Sequence, residues 1–167
     1  MEFQLSTDFK EKSGNALLQA NLKCVDKACL PDDAESCRSD DFMAKIHLEW
    51  DPSERVALIK EWWTDDFCGG KGAEWLNTKL RGAYAAMMAL LIGQAFVKTD
   101  MTPDDTVLLR PRVRADDDMK ILLDFYGEYG MVFDEKSGMM RAKVSELMKR
   151  CKKVAMSPEL ENALIEA

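Results

Sequence analysis

The chain has 167 residues, of which 47% are hydrophobic and 32% charged. This length fits one domain with a core that needs neither disulfides nor a metal, and the composition excludes an intrinsically disordered chain. The 30 acidic and 23 basic side chains give a formal net charge of −7, which disfavours nucleic acid and anionic membranes as partners and mildly favours a cationic substrate. We expect a single domain over residues 1–167.

Cysteine usage and the first residues predict the compartment. The chain has 5 cysteines, an odd and scattered set without a Cys-x-x-Cys pair, and 1 histidine, His47. This pattern favours reduced thiols over disulfides or a zinc site. The first 20 residues lack the uninterrupted apolar stretch of a signal peptide. We therefore expect a cytoplasmic protein without a metal.

The first 41 residues are weakly patterned: a possible strand at Glu2 to Ser6, a weak helical stretch at Ala16 to Val25, and a loop at Pro31 to Asp41. Beyond them, strict alternation from Ala44 to Trp50 predicts a half-buried strand. The turn residues 51–54 and the β-branched and tryptophan content of 56–64 predict that a second strand follows as a hairpin.

The second half of the chain alternates helices and strands. Apolar residues recur at three- and four-residue steps from Ala73 to Leu91, which predicts a helix that ends near Gly93. A strand is predicted at Thr106 to Val113, where Pro111 implies an edge position or a bulge. A helix is predicted to start at aspartates 116–118 and to end at Gly127 or Gly130. The remaining predictions are a hairpin of 131–133 with 139–144, a helix at 143–154, and a last short helix capped by Ser157. The predicted fold class is α/β (α+β).

One arrangement in the chain bears directly on chemistry. The predicted strand 56–64 is followed by Gly69, Gly70, Lys71 and Gly72 and then by the helix beginning near Ala73. Bare glycine amides, the helix dipole and the lysine charge together favour a bound pyrophosphate, although such glycines also serve as plain connectors. Neither the P-loop pattern nor the Rossmann pattern of glycines is present.

In order and spacing, residues 43–144 resemble the GNAT superfamily of acyl-CoA N-acyltransferases. In that family a hairpin leads into a strand, a glycine-rich turn that binds coenzyme A, a helix, and then a strand and a helix that end in an aromatic segment similar to Leu122 to Phe133. Tyr126 and Gly130 fill the family's tyrosine and glycine places in this segment, whereas Phe67 stands where the family's turn has Gln or Arg.

The resemblance implies a mixed, mostly antiparallel central sheet flanked by helices, and an acetyl group transferred from acetyl-CoA to an amine by direct attack. It makes Tyr126 the acid that protonates the coenzyme A sulfur, with Tyr129 as a substitute, and Glu61 or Glu49 the base. By alternation Glu61 would share a strand face with Ile59. The residues implied to bind the cofactor are Trp62, Trp63, Thr64, Gly69, Gly70, Lys71, Gly72, Ala73 and Asp118.

Other implications and alternatives stay open. Residues 1–41 would shape the acceptor side, 145–167 would form a helical tail, the acceptor would be a small molecule or a peptide amine, and a homodimer is possible. The alternatives are a GNAT-like module that binds coenzyme A without catalysis and an interaction protein without a cofactor. His47, on a polar strand face, is interpreted as a surface residue.

Overall fold

The computed structural model describes residues 3–24, 44–64, 81–112, 119–158 and 160–162. The strands in this part of the chain are β1 (Phe3–Lys12), β2 (Asn15–Cys24), β3 (Ala44–Asp51), β4 (Val56–Thr64), β5 (Thr106–Leu109), β6 (Val132–Asp134) and β7 (Met139–Lys143). The helices are α1 (Ala83–Lys98), α2 (Met119–Glu128) and α3 (Val144–Lys153). The predicted fold class, mixed α/β with a mostly antiparallel sheet, is confirmed at this level.

All seven described strands belong to one sheet, in the order β1-β2-β3-β4-β5-β7-β6. Neighbours pair antiparallel except β4 and β5, which are parallel. Parallel neighbours need a long crossover, and α1 lies in the connection between β4 and β5. The 43–64 hairpin and the 131–144 hairpin predicted from the sequence are both present.

The core lies between one face of the sheet and helix α1. On β3 the buried residues alternate from Ala44 to Trp50, and α1 contacts both β2 and β3. The helix contributes Met87, Met88 and Leu91, each fully buried. Burial of a side chain of this size contributes about 1.5–3 kcal/mol, so this contact holds α1 firmly against the centre of the sheet.

The prediction of a helical stretch at Ala16 to Val25 is wrong, because its described residues, Ala16 to Cys24, belong to strand β2. Its buried residues alternate (Ala16, Leu18, Ala20, Leu22) as on the core face of a sheet. Ser13 and Gly14 both have positive φ, 53° and 84°, which suits the tight turn that joins β1 to β2. The possible strand at Glu2 to Ser6 proves to be the beginning of β1.

Two further boundaries differ from prediction. Helix α1 continues past Gly93 to Lys98, because its buried stripe continues to Ala95 and the helix ends only at Thr99. Strand β5 ends at Leu109 and is central rather than an edge, so Pro111 lies beyond the ladder where its missing N–H costs no pairing.

Helix α2 ends in a glycine-dependent motif. The Gly130 amide donates to the Gly127 carbonyl at 3.0 Å, and the Met131 amide donates to the Tyr126 carbonyl at 3.3 Å. Gly130 has φ 84°. This is a Schellman motif, with glycine in the left-handed region. Of the two predicted ends of the helix, Gly127 and Gly130, the structure therefore shows Gly130.

The predicted helix at 143–154 is present as α3, and the amide of Leu160 donates to the Ser157 hydroxyl at 3.4 Å.

A charged clamp joins the β3–β4 turn to the segment that leads into β5. Arg55 donates to both Asp105 oxygens, at 3.0 and 2.8 Å, and to Asp100 at 2.6 Å. Its guanidinium lies 4.9 Å from the centre of the Trp50 ring, and the Trp50 indole N–H donates to Asp100 at 2.9 Å. Arg55 has φ 55°, and the clamp fixes this left-handed residue at the end of the turn.

Candidate functional site

Strand β4 carries a bulge in the middle. Leu48 faces Ile59 and the preceding residue, His47, faces Glu61, so Lys60 is an extra residue on β4. A bulge of this kind reverses the alternation of side chains along the strand. Glu61 therefore lies on the His47 face, away from Ile59 and the core. The prediction that Glu61 and Ile59 share a face is wrong for this reason, since alternation alone does not reveal a bulge.

Beyond the bulge, β4 parts from β5. Its parallel register with β5 covers Val56 to Ile59, whereas its register with β3 continues to Thr64. Among the described strands, the last four residues of β4, Glu61 to Thr64, therefore pair on one side alone, with β3, and Lys60 pairs with neither neighbour. Strand β5 ends at Leu109. The two parallel strands thus stop pairing in the middle of the sheet, and the edge of β4 that faces β5 carries backbone groups which an extended ligand can pair with.

Aromatic side chains gather at this point. Trp62 pairs with Ile46, which places its ring on the core face of the sheet. The ring centre lies 6.2 Å from Tyr84 of α1, and 5.7, 5.5 and 5.2 Å from Phe125, Tyr126 and Tyr129 at the end of α2. The contacts are edge-on or tilted, the arrangement that aromatic pairs prefer. The cluster joins both helices to the part of β4 that lies beyond the bulge.

Two polar features of the cluster bear on ligand binding. The Trp62 indole N–H is buried and has no hydrogen-bond partner among the described residues, a state that costs about 1–3 kcal/mol for a polar group. Burial raises the pKa of the Tyr126 hydroxyl. It also raises the pKa of Tyr129, with smaller contributions from Cys151, Glu128 and Tyr84. Both hydroxyls therefore stay protonated at neutral pH and can act as hydrogen-bond or proton donors.

The opposite face of the same strands is charged. His47 Nδ1 lies 3.2 Å from Glu61, and Lys60 lies 3.6 Å from Glu49. Glu61 is 44% exposed and Glu49 26%. The structure thus brings the two predicted bases onto one face and places Tyr126 on the other. All three can act on one ligand only if that ligand passes beside β4, where β5 has ended.

The remaining predicted residues divide between the end of β4 and parts of the chain outside the described residues. Trp63 and Thr64 are the last residues of β4. The predicted cofactor residues outside the described ranges are Gly69, Gly70, Lys71, Gly72, Ala73 and Asp118, together with Phe67. Within those ranges, no three His, Cys, Asp or Glu side chains are grouped as a metal site would require, and no helix has the length and apolarity to cross a bilayer.

Sequence reasoning missed two parts of this region. Tyr84 and Phe125 complete the aromatic cluster, and their places on apolar helix stripes gave no signal beyond core packing. The contact of His47 with Glu61 depends on the bulge at Lys60. No periodicity in the sequence indicates that bulge.

Comparison of the chain with protein-family models, with curated proteins and with solved structures found no match.

Proposed function

We propose that this protein is an N-acyltransferase that moves an acetyl group from acetyl-CoA to an amine. The observation that carries the proposal is the parting of β4 from β5 after Ile59 and Leu109, with Trp62 and Tyr126 beside it. An extended thioester arm can lie along the unpaired edge of β4 and pair with its backbone. The order hairpin, strand, helix and parallel strand supports the same assignment.

The chemistry divides among residues already described. The amine nitrogen attacks the thioester carbonyl carbon, the C–N bond forms, the C–S bond breaks, and coenzyme A leaves as a thiolate that must gain a proton. Tyr126, which is neutral at pH 7 like any phenol and whose pKa burial raises further, supplies that proton. Glu61 or Glu49 takes the proton that the amine loses, directly or through a water. No metal is required.

The glycines and lysine at 69–72 would hold the pyrophosphate of the cofactor. They follow β4 in the sequence, so a thioester arm along β4 would place its pyrophosphate near them. We propose in addition that the protein is cytoplasmic and that its acceptor is a small molecule or a peptide amine. Its possible assembly is a homodimer.

The first experiment is a calorimetric titration of the full chain with acetyl-CoA. Saturable binding is expected, and the Gly70→Asp and Lys71→Glu variants should each weaken it at least tenfold because each places negative charge at the proposed pyrophosphate site. Glu54→Gln, on the exposed β3–β4 turn, is the control. Absence of binding at millimolar acetyl-CoA refutes the transferase and leaves the interaction protein.

Tyr126→Phe distinguishes an enzyme from a module that only binds coenzyme A. Loss of the hydroxyl should lower the rate of acetyl transfer by about 10²-fold or more, the usual contribution of a general acid, while the affinity for acetyl-CoA stays within twofold. A chain that binds acetyl-CoA but releases no thiol with any amine, before or after the substitution, is the inactive module.

A further inference from the structure

His47, the one histidine of the chain, is oriented by a carboxylate. It lies in the middle of β3, and its Nδ1 is 3.2 Å from a carboxylate oxygen of Glu61 on β4. Its other nitrogen, Nε2, is buried and has no hydrogen-bond partner in the part of the chain that the structure describes. With Nδ1 this close to a carboxylate, the neutral tautomer that carries its proton on Nδ1 is favoured, and Nε2 then holds the lone pair. A ligand that hydrogen-bonds to this ring must therefore do so at Nε2.

A pocket of about 400 Å³ adjoins the ring on the face of the sheet that α1 does not cover. Its walls come from four adjacent strands, β1 to β4, and include Asp8, Lys10, Leu17, Gln19, His47 and Lys60. The aliphatic Leu17 and the polar ends of its neighbours suit a small molecule with an alkyl part and an amino group.

Burial, with smaller contributions from two lysines, keeps the His47 ring in its basic form. Burial lowers the pKa of His47, the negative charge of Glu61 opposes this effect, and Lys45 and Lys60 add to it. The charged groups on the strands around the ring are Asp8 and Lys10 of β1, Lys45 and Glu49 of β3, and Lys60 and Glu61 of β4. Because its pKa is lowered from the ordinary value of a histidine, the imidazole is mostly neutral at pH 7 and available to accept a proton.

We infer that His47 is the base of the proposed transfer, that Glu61 positions it, and that the acceptor is a small alkylamine bound in the pocket beside it. This rests on the proposed function. The ammonium form of the amine transfers one proton to Nε2, and its freed lone pair attacks the thioester carbon. As the C–N bond forms and the C–S bond breaks, the thiolate takes a proton from Tyr126. The nitrogen gives its second surplus proton to the Tyr126 oxygen, which leaves a neutral amide. The imidazolium then returns its proton to water. In this assignment Glu61 acts through the imidazole rather than on the amine.

Because the chain has one histidine, its imidazole nitrogens give one pair of NMR signals in the full-length protein. We would titrate the ¹⁵N-labelled chain with n-butylamine at pH 7.5. The Nε2 signal of the free chain should be that of an unprotonated nitrogen and should shift saturably with the amine. An Nε2 signal that n-butylamine leaves unmoved overturns the inference.

Two variants test the roles of the pair. Glu61→Gln removes the charge that raises the pKa of His47, so the NMR-measured pKa should fall further and the affinity for n-butylamine should drop at least threefold, whereas Glu54→Gln should change neither. His47→Gln should lower the rate of acetyl transfer to n-butylamine about 10²-fold, with affinity for acetyl-CoA kept within twofold. A pKa of His47 unchanged by Glu61→Gln overturns the positioning role.

Different results would overturn the role of His47 and the proposed transferase. If acetyl-CoA binds but n-butylamine does not shift the Nε2 signal, the inference about His47 is wrong and the proposed transferase stands. If Nε2 responds to the amine but acetyl-CoA does not bind, the amine site stands and the transferase is wrong.

Discussion

Two glycines three residues apart at the end of α2 should respond in opposite directions to the same substitution. Gly127 lies inside the helix, and a Cβ added there meets nothing within 4 Å. Alanine in a helix interior is favoured over glycine by about 0.5–1 kcal/mol. Gly127→Ala should therefore stabilise the protein by about that amount.

Gly130→Ala should destabilise it instead. The residue has φ 84°, a conformation that costs a residue with a Cβ about 1–2 kcal/mol. The new Cβ would also lie 2.9 Å from Glu146 Cγ and 3.3 Å from Arg150 Cγ, so both side chains must shift away from their present contact. We expect a free energy of unfolding lower by about 2 kcal/mol, which corresponds to a melting temperature lower by about 4–8 °C in a chain of this size.

Thermal unfolding followed by circular dichroism measures both variants against the unsubstituted chain. Gly130→Asn is the matched control, because asparagine tolerates the left-handed region better than alanine and should lose less stability than Gly130→Ala. Melting temperatures that move in the same direction for Gly127→Ala and Gly130→Ala would refute the assignment of the helix end, and with it the placement of Tyr126 on the last turn.

Three further outcomes follow from buried groups. Burial raises the pKa of Asp105, but bonds from Arg55 and Thr102 outweigh it and leave the pKa below its usual value. The carboxylate therefore stabilises the fold above about pH 4 and loses this effect at lower pH. The difference between the urea midpoints at pH 6 and pH 3 should consequently be smaller in Asp105→Asn than in the unsubstituted chain. Burial raises the pKa of the Cys151 thiol to about 12, and peptide mapping after iodoacetamide at pH 8 should find Cys151 unlabelled in the folded chain and labelled in urea. Met87→Ala, at a fully buried site on α1, should cost about 2–5 kcal/mol in urea unfolding, and a loss under 1 kcal/mol would contradict the placement of α1 against the sheet.

How much of the fold the sequence predicts depends on how periodic each segment is. Strand β3 alternates without exception from Ala44 to Trp50, so it was predicted correctly. In β2 the solvent-side Leu17 stands beside the core-side Leu18, and this apolar pair breaks the two-residue period enough to suggest a helix. Glycine has a low helix propensity, so Gly93 suggested a helix end. The helix continues past it because the buried stripe of α1 outweighs that local preference.

The candidate site was less predictable, because its geometry depends on pairing between strands. Tyr126 was placed on the correct helix by its position on the apolar side of the segment that follows aspartates 116–118. The face of Glu61 was wrong because a single extra residue, Lys60, shifts the register of β4 against β3. A bulge of this kind is set by the hydrogen-bond ladder of two strands together, and neither strand alone carries its signature.

The position of β5 has a consequence for the order of folding. The hairpins β1–β2, β3–β4 and β6–β7 join strands that are adjacent in sequence, and such hairpins form within about 1–10 μs. Strand β5 must instead insert between β4 and β7, and its partners on β4 lie 50 residues earlier in the chain. Among the described strands this pairing spans the greatest separation in sequence, and closure of so long a loop costs more entropy than closure of a hairpin. We therefore expect β5 to join the sheet after the three hairpins have formed.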